Sequence, residues 1–226
     1  MNAALLNWEK RNVEGRILSM NWYHASSIKN LTTLEPRISN HGVSLVYLSK
    51  KRENVLVYLS NAVEKYCKET DFEHAGKWSK WGPYGFDKNG ILQLEEYYPN
   101  ALEETYRGVA GYIYMAKDIT DSGYCIGIPN AGTSSIPVPV CDCEYIPDAY
   151  AEILAAANQG LIKLVRYEEQ SPKKLDWIRK TVIQEYKEAE NQPDYRYFLE
   201  GKFKDVIEKH NKKLFAYKKT LKKGKI

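Results

Sequence analysis

The chain falls into two regions that differ in the spacing of their apolar residues. Over residues 1–170, short β-branched and aromatic runs are separated by Gly, Pro, Asn and Asp, which are turn-forming residues. From Ser171 onward the apolar residues recur at helical spacing instead. Strands and helices do not alternate regularly, so we expect an α+β fold rather than a parallel α/β fold. We expect a mainly antiparallel sheet core with short helices over 1–170, and a basic helical hairpin over 171–226 packed on it.

The individual runs predict the following elements. The predicted strands are Met20–His24, Val43–Leu48, Ile91–Glu95, Gly111–Ala116, Ile136–Tyr145 and Leu161–Tyr167. The predicted helices are Ala3–Ser19, Arg52–Tyr66, Pro99–Tyr106, Pro147–Asn158, one from Ser171 to about Glu190, and one from Asp194 toward Leu221. The segment Ser122–Ser135 is rich in Gly, Ser and Asn, which predicts a long loop with a short extended piece at Tyr124–Ile128.

Positive charge is concentrated in the C-terminal region. Residues 171–226 hold 16 Lys and Arg against 8 Asp and Glu, a net charge of +8, whereas residues 1–170 carry −4. Such a segment can attract nucleic acid or an acidic protein, and its aromatic residues Trp177, Tyr195, Tyr197 and Phe215 can stack on bases. The alternative is an amphipathic hairpin whose lysines face solvent and whose aromatics form core. We favour that alternative over base stacking.

The cysteine pattern and the hydropathy bear on location and metals. We find no export signal at the N-terminus and no apolar run of bilayer-spanning length, so we expect a cytoplasmic protein with reduced thiols and no membrane partner. Cys141 and Cys143 form a Cys-x-Cys pair with His74 as a distant candidate partner. A zinc site needs a second pair of ligands, and the sequence does not supply one, so we expect no metal site.

Four short motifs occur in a fixed order. They are Trp22-Tyr23-His24-Ala25-Ser26, Leu34-Glu35-Pro36, Val46-Tyr47-Leu48-Ser49 and, much later, Glu144-Tyr145-Ile146. Tyr58 follows Tyr47 by eleven residues. This set resembles the ADP-ribosyltransferase fold, on the branch of the poly(ADP-ribose) polymerases and rifamycin-modifying transferases. The likeness covers residues 21–66 by motif and 111–150 by element order alone, and Ala25 stands where the family usually has Gly.

The resemblance implies a split antiparallel sheet that binds NAD as a substrate and transfers ADP-ribose to an acceptor, a macromolecule or a small molecule. It implies catalytic roles for His24, Tyr47 and Glu144. The residues implied to contact NAD are Tyr23, His24, Ala25, Ser26, Tyr47, Ser49 and Tyr58. Asp118 and Asp121 compete with Glu144 for the carboxylate position, because the long segment between Cys67 and Gly111 makes the alignment ambiguous.

The chemistry of these side chains fits cleavage of the nicotinamide–ribose bond. That reaction passes through an oxocarbenium-like transition state, which needs a nearby carboxylate such as Glu144. His24 can hydrogen-bond a ribose hydroxyl, and Tyr47 and Tyr58 can sandwich the flat nicotinamide ring. Each residue also has a structural explanation: a hydrogen-bonded strand histidine, two of 18 tyrosines, and a solvent-facing glutamate. A non-enzymatic binding module, NAD hydrolysis and phosphate transfer from RNA remain alternatives, since fold does not fix function.

Overall fold

The computed structural model describes residues 20–38, 42–74 and 84–212. The strands are β1 (Asn21–Ser26), β2 (Thr33–Leu34), β3 (Arg37–Ile38), β4 (Ser44–Ser49), β5 (Tyr84–Phe86), β6 (Leu92–Glu95), β7 (Gly111–Lys117), β8 (Ala131–Ser134), β9 (Val138–Pro139), β10 (Asp142–Ile146) and β11 (Ile162–Val165). The α-helices are α1 (Ala62–Glu69), α2 (Ala101–Tyr106), α3 (Ala149–Asn158), α4 (Pro172–Glu188) and α5 (Pro193–Lys202). Three 3-10 helices span Arg52–Tyr58, Tyr167–Glu169 and Ala189–Asn191, and residues 204–212 are mostly helical beyond a turn at Phe203.

The main sheet has six strands and is antiparallel throughout. Its order is β10-β7-β1-β4-β3, and β8 also pairs with β4. A three-stranded sheet, β11-β6-β5, contains the one parallel pair among the described strands, β11 with β6, and β2 pairs with β9 in a two-stranded ribbon. The prediction of a mixed fold with mainly antiparallel sheets is confirmed.

Three apolar cores hold these layers together. One face of the main sheet packs against the 3-10 helix Arg52–Tyr58 and α3, around Ala25, Leu56 and Ile153. The opposite face packs around Tyr114 with residues of the β2–β9 ribbon, such as Leu34. A separate core joins α1 and the start of α2 to the C-terminal helices, with Phe198 completely buried in it. The C-terminal helices are therefore fastened to the sheet-bearing part of the chain by a shared core.

The segment predicted as one amphipathic helix, Arg52–Tyr66, is two helices. A 3-10 helix occupies Arg52–Tyr58, and α1 begins only at Ala62. Four consecutive residues of the 3-10 helix, Asn54 to Val57, are buried. In an amphipathic surface helix, buried residues recur every three or four positions. Four buried residues in a row do not fit that spacing, so the helical pattern did not predict this segment.

Two further predictions about strands are wrong in detail. The predicted loop Ser122–Ser135 contains strand β8, which pairs with β4 from Val46↔Ser134 to Ser49↔Ala131. A Cβ on Gly132 of this strand would lie within 2.6 Å of the Trp22 ring, so the small residue lets the two segments approach closely. The predicted strand Ile136–Tyr145 is divided into β9 and β10, which join different sheets. Pairing partners, rather than local propensity, decide both outcomes.

The C-terminal helices begin where the sequence predicts. Ser171 accepts a hydrogen bond from the Lys174 N–H at the start of α4, and Pro193 occupies the first turn of α5. The second helix is interrupted by a turn at Phe203, and helical structure resumes over 204–212. Its predicted end and the N-terminal helix Ala3–Ser19 lie outside the described residues. Within the described ranges, each helix is too short or too polar to cross a lipid bilayer.

Candidate functional site

His24 lies where two neighbouring strands of the main sheet separate. β1 and β4 pair at one position, Tyr23↔Ser49, although each strand has six residues. The next link between them is made by a side chain: His24 Nδ1 lies 2.9 Å from the carbonyl oxygen of Tyr47. The imidazole thus takes the place of a backbone ladder bond and holds the two strands at the mouth of a split.

The protonation of His24 follows from this contact. Burial lowers the pKa of His24 below its usual value of 6.5, the bond to the Tyr47 carbonyl opposes that change, and the positive charge of Arg37 adds to it. The ring is therefore neutral at pH 7. A carbonyl oxygen only accepts, so Nδ1 carries the hydrogen and donates it, and Nε2 carries a lone pair. His24 can offer that lone pair to a ligand hydroxyl.

Tyr47 and Tyr58 form part of a tyrosine cluster on one side of β4. The Tyr58 hydroxyl lies 3.2 Å from the Tyr84 hydroxyl, and the two rings meet edge to face at 6.4 Å between centroids. Partial burial raises the pKa of Tyr58, and the neighbouring hydroxyls of Tyr84 and Tyr47 raise it further. The Tyr58 side chain still keeps a large exposed fraction, 39% of the residue. The alternation of side chains along β4 places the Tyr47 ring on the face of Tyr23 and Ala25, so His24 is linked to this cluster through the Tyr47 backbone and not through its ring.

Glu144 lies two strands away from His24. In the sheet, Glu144 is opposite Ile113, and Ile113 is opposite Ala25. Two strand spacings of about 4.8 Å separate β10 from β1, and directly opposite residues share a face of the sheet. Glu144 therefore lies on the face of Ala25, whereas the register places His24 on the other face, opposite Tyr114.

The Glu144 carboxylate is bound by Arg52 at the start of the 3-10 helix. Arg52 Nε lies 2.7 Å from Oε2 of Glu144 and Nη2 lies 2.6 Å from Oε1, while Nη2 also contacts Glu152 at 3.0 Å. The hydrogen bond to Glu144 raises the pKa of Arg52. The carboxylate is thus oriented over the sheet, and its negative charge is compensated by a guanidinium.

Two further NAD-contact candidates, Ser26 and Ser49, form hydrogen bonds with the backbone next to the split. The Ser26 hydroxyl accepts from the Ile28 N–H, and the Ser49 hydroxyl accepts from the Lys51 N–H, each at 3.1 Å. Ala25 is buried, lies in β1 and is not among the residues with positive φ, so its backbone is extended. Tyr23 is half-buried and packs against the core on the Ala25 face.

The two competing carboxylates lie elsewhere. Asp118 follows β7, and its carboxylate accepts from the Met20 N–H at 3.3 Å. Asp121 accepts from the Gly123 N–H at 2.9 Å and lines an open cavity of about 490 Å³ together with Thr133. Thr133 belongs to β8, on the edge of β4 away from β1. Of the three carboxylates, Glu144 is the one aligned across the sheet with Ala25.

Four side chains near this site escaped sequence analysis. They are Arg37, Arg52, Asn54 and Tyr84. Arg52 is 92 residues from Glu144, and Tyr84 is 26 residues from Tyr58, so no local spacing reports either contact. Asn54 is buried at 7% exposure in an otherwise apolar stretch, and its polar character between Glu53 and Val55 was the available signal.

The C-terminal helices present less free charge than the composition suggests. Several of their lysines pair with acidic side chains: Lys174 with Glu95, Lys180 with Asp176, Lys202 with Glu104 and Lys212 with Glu208. Tyr195 and Phe198 are buried, and Tyr197 stacks on Phe72, which leaves Trp177 as an exposed aromatic at 48%. Phe215 lies outside the described residues. The Tyr195 ring is therefore core, as the favoured interpretation of an amphipathic hairpin predicts, and is not free to stack on bases.

In the part of the chain that the structure describes, the His, Cys, Asp and Glu side chains form no group of three or more that could hold a metal ion.

The chain matches no protein-family model, no curated protein and no solved structure.

Proposed function

We propose that the chain is an ADP-ribosyltransferase-like protein that binds NAD as a substrate at the split between β1 and β4. The observation that carries this proposal is the neutral His24 bridging the two strands beside Tyr47, with its Nε2 lone pair available for a hydroxyl. The separation of two strands within one antiparallel sheet supports the split core of that fold. The cation of Arg37 acts on His24 and favours an anionic group nearby, such as a diphosphate.

Each residue has a role in the transfer. Tyr47 and Tyr58 provide aromatic surfaces for the nicotinamide ring, worth about 1 kcal/mol per stacked pair. The backbone groups of Ala25 form hydrogen bonds with the carboxamide of the nicotinamide. In the reaction the C1′–N bond to nicotinamide breaks, its electron pair moves to the ring nitrogen, and the acceptor forms a new bond to C1′ while losing a proton. The Glu144 carboxylate stabilises the oxocarbenium-like ribose and accepts the proton that the acceptor loses.

The test is binding and turnover with NAD. Isothermal titration and thermal shift measure binding of NAD at concentrations up to about 1 mM. A dissociation constant of about 1 mM corresponds to a binding free energy near −4 kcal/mol. Release of free nicotinamide measures cleavage. We expect Tyr47→Ala and Tyr58→Ala each to weaken binding about tenfold. Trp177→Ala is the matched control, because Trp177 is an exposed aromatic residue on α4, outside the main sheet. A well-folded protein that shows no response to NAD at 1 mM would refute the proposal.

Product analysis separates transfer from NAD hydrolysis. Transfer yields nicotinamide with ADP-ribose bound to an acceptor, whereas hydrolysis yields nicotinamide with free ADP-ribose. Phosphate transfer from RNA releases no nicotinamide.

A second candidate function is binding of nucleic acid or an acidic protein without catalysis. The observation that favours it is the run of six lysines with no acidic residue in residues 213–226. Since many lysines of the described helices are paired internally, the attraction would come mainly from this run. Salt-sensitive retention of an oligonucleotide that is lost on removing 213–226 would support it, and retention unaffected by the truncation would refute it.

A further inference from the structure

A cavity open to solvent lies beside strand β8 and is walled by the loop that precedes this strand. Its volume is about 490 Å³, and eleven residues between Asp121 and Thr133 line it. Small-molecule sites commonly have volumes of about 300–1,000 Å³. Tyr124 and Cys125 in the wall are exposed, so a ligand can reach the cavity without a movement of the chain. The function proposed above makes no use of this space.

Hydrogen bonds at both ends hold the loop in place. The Ser122 N–H donates to the Thr133 carbonyl oxygen at 2.9 Å, and the Lys50 N–H donates to the Asn130 carbonyl oxygen at 2.8 Å. The hydroxyls of Ser122 and Thr133 lie 2.6 Å apart. The cavity is therefore formed before any ligand binds, as small-molecule sites usually are.

The cavity adjoins the strand that carries two candidate NAD contacts. In the main sheet, Thr133 is directly opposite Tyr47, and Ala131 is directly opposite Ser49. Directly opposite residues share a face of the sheet, and neighbouring strands are about 4.8 Å apart. Two residues of the cavity wall therefore lie on the face of the Tyr47 ring, one strand spacing from β4.

The wall offers hydrogen-bond donors and an acceptor together. The backbone N–H groups of residues 125–128 have no hydrogen-bond partner among the described residues. The acceptor is the Asp121 carboxylate, which receives the Gly123 N–H at 2.9 Å and has further lone pairs available. The lining contains no lysine, arginine or histidine.

This combination selects among ligand classes. A phosphate group only accepts hydrogen bonds, and it would face the negative charge of Asp121 with no cation in the lining. A guanidinium or ammonium group only donates, so it would leave the N–H groups of residues 125–128 unpaired. A neutral nucleoside carries both kinds of group, because its ring nitrogens accept while its ribose hydroxyls donate. The Tyr124 ring, in a residue 36% exposed, offers a surface on which a base can stack.

We infer that this cavity binds a neutral nucleoside such as adenosine. The base stacks on the Tyr124 ring, its ring nitrogens accept from the N–H groups of residues 125–128, and the ribose hydroxyls donate to Asp121. The inference goes beyond the proposed function and does not depend on it. Two sources supply this chemistry: the adenosine half of NAD, and a separate nucleoside that accepts ADP-ribose.

The test uses Cys125 as a reporter of occupancy. Its thiol is exposed in the cavity wall, so N-ethylmaleimide labels it unless a ligand covers it, and mass spectrometry of peptides measures the labelling rate. Cys141 and Cys143 are exposed elsewhere and serve as internal references. We expect adenosine at up to about 10 mM to slow labelling of Cys125 at least fivefold and to leave both references unchanged. Unchanged labelling of Cys125 overturns the inference, and so does equal protection by inorganic phosphate or by free arginine.

Substitutions in the wall separate specific binding from general shielding. Tyr124→Ala should weaken adenosine about tenfold, whereas Tyr124→Phe keeps the stacking surface and the affinity. Asp121→Asn keeps an oxygen for the Gly123 N–H but lacks the charge, so it should weaken adenosine several-fold. Trp177→Ala is the matched control, since it removes an exposed aromatic residue of α4 and should leave the affinity unchanged. Melting temperatures verify that each variant is folded, and equal affinity of Tyr124→Ala and the wild type overturns the inference.

NAD distinguishes the two sources of the nucleoside. If NAD protects Cys125 and adenosine displaces it, the cavity holds the adenosine half of NAD. If NAD binds without protecting Cys125 and adenosine still protects it, the cavity holds a separate nucleoside. If the wild type binds NAD but adenosine does not protect Cys125, this inference fails and the proposed function stands. If the wild type binds no NAD, the proposed function fails, and protection by adenosine alone decides this inference.

Discussion

The imidazole of His24 has two separable duties, and three substitutions distinguish them. Nδ1 links β1 to the Tyr47 carbonyl of β4, and Nε2 faces away from that bond. The side-chain nitrogen of Asn occupies the position of Nδ1, whereas that of Gln occupies the position of Nε2. We therefore expect His24→Asn to keep the strand link but lose ligand contacts, His24→Gln to lose the strand link but keep a polar group toward the ligand, and His24→Ala to lose both.

The cost of His24→Ala follows from the hydrogen bond. A net contribution of about 1 kcal/mol is lost with the bond, and a carbonyl left without a donor in a part-buried position adds about 1 kcal/mol more. For a chain of this length, about 2 kcal/mol lowers the melting temperature by about 4–8 °C. His24→Asn is expected to recover most of that loss. Urea unfolding monitored by circular dichroism measures both variants against the wild type.

The pH dependence supplies an independent check. Burial lowers the pKa of His24 in the folded state below 6.5, so the unfolded chain binds a proton that the folded chain does not. Wild-type stability therefore falls as the pH drops below about 6.5, and His24→Asn lacks this contribution. The stability difference between the wild type and His24→Asn should shift in favour of the variant between pH 7.5 and pH 5.5. A difference that stays constant with pH would refute the burial of a neutral imidazole, and an Asn variant as unstable as the Ala variant would refute the hydrogen-bond assignment.

Three further predictions concern other parts of the molecule. Arg52→Ala should change the free energy of unfolding by less than about 1 kcal/mol, because the side chains of Arg52 and Glu144 are partly exposed, at 31% and 52%. The same change should slow nicotinamide release, because the Glu144 carboxylate is no longer held in place. Arg52→Lys keeps the positive charge but not the two-pronged contact, and it should restore part of the rate. Glu96→Ala should destabilise the fold by about 3–5 kcal/mol in urea unfolding. The buried Glu96 carboxylate accepts hydrogen bonds from the backbone N–H groups of Leu102 and Tyr167 and from the Arg166 side chain. A loss below about 1 kcal/mol would contradict that role. Removing residues 213–226 should leave the melting temperature within about 2 °C while lowering retention on heparin, and unchanged retention would show that the six lysines attract no polyanion.

Local signals in the sequence identified most elements of the fold. The strand-forming run Ile91–Glu95 predicted β6, and Ser171 predicted the start of α4, because strand runs and helix caps depend on neighbouring residues. The prediction failed at β8, whose residues Ala131–Ser134 have weak strand propensity. That strand exists because β4 offers it a free edge.

The candidate site divides in the same way. The order of motifs in the sequence nominated His24, Tyr47, Tyr58 and Glu144, and local chemistry suggested what each side chain can do. The sequence alone thus determined which groups are available: an imidazole, phenol rings and carboxylates at fixed intervals, on short strands that must pair.

Tertiary structure alone decided which of these groups meet. Sheet order placed β7 between the strands of Glu144 and His24, and the folding of the 3-10 helix onto the sheet gave Glu144 its partner Arg52, 92 residues away. The same packing buried the Asn54 side chain without a hydrogen-bond partner among the described residues. Contacts of this kind depend on register and layer packing over the whole chain, and a linear pattern of residue types carries no information about such distances.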